Sequence, residues 1–319
     1  MKLAFIGTFP PRECGIGTFT NNLYNSMLVN HKSREHRNEG YVVAINDSDL
    51  IYEYPKEVKL TIRQEHQEDY YIGAKFINLS GADLCILEHE FGIIGGNNGV
   101  YILPLLHRLE VPLIVTLHTI LKTPSYDEKA VLHEICKMAD KIVVMTNKAI
   151  GFLVSIYNVP EEKIALIEHG VPDIHYSQEK SKKEFKFERK KVLLTFGFIG
   201  RNKGIETVIK ALPGIVEKHP NVMYIILGKT HHNVLRQSGE EYRIYLLRLV
   251  KNLQLEKHIL FLNKFIDTED LFKYLSAADI YITPYLNEAQ ITSGTLSYAV
   301  GVGSAVISTP YWHALELLA

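Results

Sequence analysis

The sequence lacks most of what would mark a secreted, membrane-spanning or nucleic-acid-binding chain. Its three cysteines, Cys14, Cys85 and Cys136, are an odd number at wide spacing with no CxxC pair. That argues against a disulfide framework or a zinc site and suits a reducing compartment. No stretch approaches the roughly 18 consecutive apolar residues that a spanning helix needs. The start, MKLAFIGTFPP, breaks its apolar run at Gly7 and Pro10, so it reads as a strand and not as a signal peptide. Charge of one sign is missing too: 35 Lys and Arg stand against 36 Asp and Glu, which gives no bulk attraction for nucleic acid. The expectation is a soluble, cytoplasmic protein that can still hold a local anionic ligand.

What is present is ordinary in bulk, with 46% apolar and 22% charged residues, and informative in pattern. At 319 residues, two domains are expected. Short β-rich runs alternate with helical spacing. They are KLAFIG, YVVAI, DLCILE, PLIVTL and KIVVM in the first half, and KVLLTFG, VMYIILG, HILFL, DIYITP and SAVIST in the second. Nearly all are apolar on both faces, as in parallel strands covered by helices on two sides. The fold class is therefore α/β with parallel sheets. A charged, weakly periodic stretch around 173–191 separates the two sets of strands. It predicts domains over 1–175 and 190–319 with a linker at 176–189. In such sheets ligands sit at the carboxyl ends of strands, so the loops after strands carry the functional reading.

Five loops stand out. After the first strand, Gly15 and Gly17 precede a helical pattern; they either shape a loop or let backbone N–H groups approach an anion. The loop is too long for the tight GxGxxG turn, which disfavours a nicotinamide dehydrogenase. Glu88, His89 and Glu90 alternate along an extended segment, and no HExxH helix accompanies them, so they read as polar residues beside a pocket and not as a metal site. His118 ends a buried strand, where a neutral imidazole can meet a sugar hydroxyl. Arg201 and Lys203 follow the strand that ends at Gly197 and directly precede a helix, a place for a phosphate or diphosphate. Thr292, Ser293 and Gly294 open another helix after a strand, and could cradle a second part of the same anion.

On the segments FPPRECGIGTFT, VTLHT, IEHGVPD, GFIGRNKGIETVIKAL and FLNKFIDTEDLFKYLSAADIYITPYLNEAQ, the chain resembles the retaining glycosyltransferases of the GT-B fold, specifically glycosyltransferase family 4. The resemblance runs over essentially the whole length. It implies two Rossmann-like domains facing a central cleft, the first binding an acceptor and the second a nucleotide diphosphate sugar such as a UDP- or GDP-hexose. It implies no cofactor and no metal ion; the Asp47-Ser48-Asp49 triplet lies in the first domain, away from the phosphate loops. Residue by residue, Lys203 matches the lysine on the donor diphosphate and His118 the histidine near the transferred sugar. Gly15 and Gly17 match the glycine loop over the donor. Base contacts would fall near Lys264 and Phe265.

The departures are equally specific. Phe198 stands where the family has an arginine, with Arg201 three residues on, and His169 replaces an asparagine before Gly170-Val171. The two family glutamates fall on Gln290 and Tyr298, with Glu288 the nearest acid. Gln and Tyr can hydrogen-bond a sugar or ribose hydroxyl but cannot stabilise positive charge at the anomeric carbon. Lys203, Arg201, His118 and Gln290 are thus the expected catalytic group. Gly197, Glu288, Thr292, Ser293, Gly294 and Tyr298 are expected on the donor. The expected reaction is metal-independent hexosyl transfer to a carbohydrate or glycoconjugate acceptor, with a non-catalytic nucleotide-sugar-binding or assembly protein as the alternative. A phosphorylase or epimerase of the same fold is a further rival. Because the family pattern continues beyond STPYWHALELLA, the second domain is expected to be truncated, with a partner chain or a missing segment covering apolar surface.

Overall fold

A computed structural model of the chain describes residues 1–28, 38–47 and 50–319. Ser48 and Asp49 of the DSD triplet lie outside the described residues. Contacts divide the chain into two compact units, Met1–Glu168 and His169–Ala319, each built on one parallel sheet.

The first unit holds β1 (Lys2–Gly7), β2 (Glu39–Asn46), β3 (Val58–Arg63), β4 (Leu84–His89), β5 (Leu113–Leu117), β6 (Lys141–Val144) and β7 (Ile164–Leu166), in the order β3-β2-β1-β4-β5-β6-β7. The second holds β8 (Lys191–Phe196), β9 (Val222–Leu227), β10 (Ile259–Leu262), β11 (Ile280–Thr283) and β12 (Val306–Ser308), ordered β10-β9-β8-β11-β12. All the strand runs expected from the sequence are present. The two additional strands, β3 and β7, are the edges of the first sheet. Their exposure explains the omission: VKLTIR buries only Ile62, and IAL is never fully covered.

Alternation along the central strands of the second sheet sets two cores, one on each face. Val192 and Leu194 of β8 join Ile225, Leu227, Phe272, Leu296 and Tyr298 on one face, while Leu193 joins Tyr224, Ile226, Ile205, Ile209 and Leu246 on the other. Each fully buried aliphatic side chain contributes about 1.5–3 kcal/mol of transfer free energy. This two-sided burial makes the strands read as unbroken apolar runs.

The stretch 176–189 is not a linker. It forms the helix Gln178–Glu184, capped by the Ser177 side chain, and Phe187 is buried in the core of the second unit. Lys182 Nζ bridges to Asp279 Oδ2 at 2.6 Å, and Gln178 donates to the Ala278 carbonyl. Glu179, Lys180, Lys183 and Glu184, which mimic a solvated linker, are exposed on this seven-residue helix.

The strand orders locate the crevices. In the first sheet the order reverses between β1 and β4, and in the second between β8 and β11. The connections on either side of such a point leave in opposite directions and open a gap at the carboxyl ends.

Candidate functional site

In the second unit, the loops after β8 and β11 are tied together at the reversal point. Past β8, Gly197 takes φ 120° and Gly228 packs its Cα so closely that a Cβ there would lie 2.0 Å from the Gly197 carbonyl oxygen. The chain then makes a 3-10 turn over Arg201–Lys203 and enters the helix Ile205–Lys218 through Gly204, which is left-handed at φ 61°. The Leu286 N–H donates to the Asn202 carbonyl at 2.9 Å, fastening this turn to the loop after β11.

Lys203 is half-buried, with Nζ 3.8 Å from the centre of the Tyr285 ring. Burial pushes the Tyr285 phenol up, but the Lys203 ammonium and hydrogen bonds from Thr295, Lys203 and Thr283 outweigh it, leaving the group more acidic than an ordinary tyrosine. The Tyr285 hydroxyl meets Thr295 Oγ1 at 2.9 Å, and Thr295 Oγ1 meets Ser293 Oγ at 3.1 Å. A Cβ on Gly197 would touch Thr295 Cγ2 at 3.3 Å. Gly197, Lys203, Tyr285, Thr295 and Ser293 therefore form one connected group.

The helix Gly294–Gly301 begins at this group. Ser293 caps it by accepting the Leu296 N–H, and the Ser293 N–H donates to His313 Nδ1 at 2.8 Å. Burial lowers the His313 pKa, which keeps that nitrogen an acceptor. Ser293 is thus committed to local structure, which differs from its expected role as a free phosphate donor. The first-turn N–H groups of Gly294 and Thr295 are the ones without an intrahelical acceptor by helix geometry. His169 Nε2 lies 2.8 Å from where a Cβ of Gly294 would stand, and Val171 comes within 2.5 Å of one on Gly301. A side chain at either end of this helix would have to displace the His169 ring or the Val171 methyls.

Other expected residues are placed elsewhere. Arg201 points outward, ion-paired to Glu241 and set over the Tyr242 ring at 5.7 Å, with 62% of its side chain exposed. Phe198 packs on His231 and Phe265 with ring centres 4.8 Å and 5.8 Å away. Tyr298 is buried against Phe272 and His169, so its ring is core first. Gln290 folds its amide onto the Thr292 carbonyl, and Glu288 is exposed. Their backbone carbonyls accept from His313 and Trp312, pinning the loop after β11 to the helix Trp312–Leu317.

In the first unit, the carboxyl ends of β4 and β5 carry a buried polar cluster. Glu88 has no exposure; its Oε2 lies 2.8 Å from His118 Nε2 and its Oε1 accepts from the Thr116 hydroxyl at 3.2 Å. Phe19, from the helix Gly15–Leu28, packs edge-on to His118 at 4.8 Å. Thr119 donates to Glu90 Oε2 at 2.6 Å. The loop after β1 is held by Arg12, whose guanidinium reaches Asp47 Oδ1 at 2.9 Å and the Ile45 carbonyl at 2.8 Å, all buried. A Cβ on Gly17 would meet Thr8, Phe9 and Arg12 at 3.4 Å, whereas Gly15 faces open space.

His89, between the two glutamates, points elsewhere, against Phe91. It is fully buried, neither ring nitrogen has a hydrogen-bond partner, and burial, followed by His118, takes its pKa down to about 3 from 6.5. The unfolded chain therefore binds a proton between these values that the folded chain refuses. Its contribution to stability is complete above the unfolded value and is lost as pH falls toward the folded one, with a slope of up to about 1.4 kcal/mol per pH unit. Urea unfolding between about pH 7 and pH 4 should show this slope, and His89→Leu should flatten it. The shift at His313 acts in the same direction.

Among the described residues, no three His, Cys, Asp or Glu gather in a way that could hold a metal ion. No helix among them is long and apolar enough to cross a membrane. Tyr285, Thr295 and His313 were missed in the sequence, whereas Glu88 was read as a polar residue beside a pocket without its partner His118. Tyr285 carried a usable signal, a hydroxyl-bearing aromatic two residues past a buried strand; His313 carried none, because its partner is a backbone N–H 20 residues away.

Residues 177–307, nearly all of the second unit, match the sequence profile of the family described as glycosyl transferases group 1. An uncharacterized glycosyltransferase of Methanocaldococcus jannaschii is 32% identical over 145 residues, which is 42% of this chain and 33% of that protein. The match thus spans about a third of that relative's length. Among solved structures, Anabaena HepE in complex with UDP and glucose superposes with a TM-score of 0.71 at 13% identity, covering 100% of this chain and 83% of that one. Sucrose-phosphate synthase of Thermosynechococcus elongatus gives 0.67 at 18% identity, covering 97% and 81%. At these identities the likeness shows the fold, two parallel-sheet α/β units of the GT-B type.

Proposed function

We propose that this chain is a retaining, metal-independent hexosyltransferase that takes its sugar from a nucleotide diphosphate donor and passes it to a carbohydrate or glycoconjugate acceptor in the cytoplasm. The observation that carries the reading is the Lys203–Tyr285–Thr295 group at the reversal point of the second sheet, inside the segment that matches glycosyl transferases group 1. A cation fixed beside a helix start stabilises a departing diphosphate, on which charge grows in the transition state. Lys203 supplies the charge, and the Gly294 and Thr295 N–H groups supply dipoles. The leaving diphosphate takes the acceptor's proton on the same face, so no protein carboxylate is required at Gln290 or Tyr298. In the first unit, His118 stands at the end of β5 beside Glu88, where its imidazole can hydrogen-bond a sugar hydroxyl. HepE, which binds UDP and glucose, makes a UDP-sugar the first donor to test.

Arg201 has a lesser part, since its guanidinium is already paired with Glu241. Arg201→Ala should change stability by less than about 1 kcal/mol, as exposed ion pairs do, and donor turnover by less than about tenfold. Denaturant midpoints and initial rates check both.

A second reading is favoured by one observation: Tyr298 is a core residue at a position where the resemblance expects a ribose-binding carboxylate. A protein that binds nucleotide sugars without turning them over would tolerate that change. The two readings separate on incubation with UDP-, GDP- and ADP-sugars, with and without sugar acceptors and without metal. Thermal stabilisation together with nucleoside diphosphate release supports the transferase. Stabilisation without release supports the binding protein, and no stabilisation by any donor removes both.

A further inference from the structure

In the first sheet, β4 and β5 pair in parallel with Glu88 opposite Thr116 and His89 opposite Leu117. That register sets the Thr116 hydroxyl against Glu88 Oε1 and leaves Oε2 for the imidazole of His118 one step beyond the strand end. The ring is held from three sides. Its backbone N–H donates to the His89 carbonyl at 3.1 Å, Phe19 packs edge-on, and Nε2 is 2.8 Å from the carboxylate. Glu88 has no exposure and His118 only 7%, so water does not compete for this contact.

We propose that Glu88 is a positioning residue for His118: by accepting the Nε2 proton it fixes the imidazole in one tautomer, with the Nδ1 lone pair presented to a substrate hydroxyl. A carboxylate has no proton to give, and Thr116 already donates to its other oxygen, so the imidazole must donate through Nε2. A neutral imidazole has a single N–H; placing it on Nε2 makes Nδ1 the acceptor. Without Glu88 nothing in the described contacts selects between the two tautomers. The other titratable groups on the elements packed here do not compete for the proton. His89 is held neutral by burial and turned to Phe91, Glu90 is engaged by Thr119, and the helix Gly15–Leu28 presents Phe19.

The catalytic consequence rests on the reading of His118 as a sugar contact, but the tautomer itself does not. The test uses the full chain with ¹⁵N-labelled histidine, the His118 signals being assigned by their loss in His118→Gln. At neutral pH, long-range proton–nitrogen spectra should show Nε2 protonated and Nδ1 bare. Glu88→Gln keeps the shape but can accept or donate, so it should give a mixture of tautomers. In the same variant, kcat for transfer should fall about ten- to hundredfold while KM for the donor stays within about threefold. A purely structural role would lower stability and leave the tautomer in place. A proton on Nδ1 in the wild type, or a Glu88→Gln protein that keeps its kcat, overturns the proposal. If the wild type turns over no donor, the transferase reading falls by itself, and the wild-type spectrum still decides the tautomer.

Discussion

Lys203→Ala should lower donor turnover by about two to three orders of magnitude, the scale seen when one preorganised charge or donor is removed from a developing anion. The loss should appear in kcat and in affinity for the free nucleoside diphosphate, because the cation serves both bound donor and leaving group. The structure gives this residue its weight. Its ammonium is not a solvated surface charge but sits 3.8 Å over a buried aromatic ring, in a turn fastened to the next loop by the Leu286–Asn202 hydrogen bond. Little conformational entropy remains to be lost when an anion arrives. Nucleoside diphosphate release under single-turnover conditions measures the effect. Wild-type release rates in the variant would mean that this cation does not meet the phosphates. With the ammonium gone, only the Thr295 and Thr283 hydrogen bonds oppose burial at Tyr285, and its phenol should titrate higher than in the wild type.

Gly204→Ala should lower stability by about 2–5 kcal/mol, the sum of a left-handed backbone that L-residues avoid and an overpacked contact. At Gly204 φ is 61°, and an added Cβ would lie 2.1 Å from the Pro284 carbonyl oxygen and 3.0 Å from Leu286 Cδ2. Backbone on the far side cannot yield as a flexible side chain would, so the turn must move. Because Lys203 is the preceding residue, the variant that remains folded should also lose donor affinity. Urea midpoints measure the first effect and nucleotide-induced thermal shifts the second. Gly214→Ala is the matched control: that glycine lies in the helix Ile205–Lys218 with open space around its Cα. There the added methyl should be neutral or stabilise by about 0.5–1 kcal/mol. Equal midpoints for the two variants would contradict the steric account.

The site was only partly legible in advance. Lys203 and Gly197 could be singled out because a short loop between a buried strand and a helix leaves few positions, and the structure brings both beside Tyr285 and Thr295. Ser293 was read as a phosphate donor, yet its hydroxyl and N–H serve the helix cap and His313. A cap and an anion site have the same sequence signature, since both use Ser or Thr before a helix start. Arg201 was read as a partner of Lys203 from charge and nearness in the chain. The 3-10 turn instead sends it outward to Glu241, a residue 40 positions away. The supposed linker failed for a related reason, because a charged outer face hid one buried aromatic, Phe187.

The sequence by itself determined the α/β class, the parallel sheets and the loops worth inspecting, because two-sided burial writes itself as apolar runs and strand ends are local features. It could not determine which polar atoms meet. Glu88 and His118 are 30 residues apart, and Lys203 and Tyr285 are on loops from different strands. Those contacts depend on strand order and register, which place β4 beside β5 and β8 beside β11. Hydrogen bonds and ion contacts act over a few ångströms, so only the packed sheets decided which candidates became partners and which turned to solvent or core.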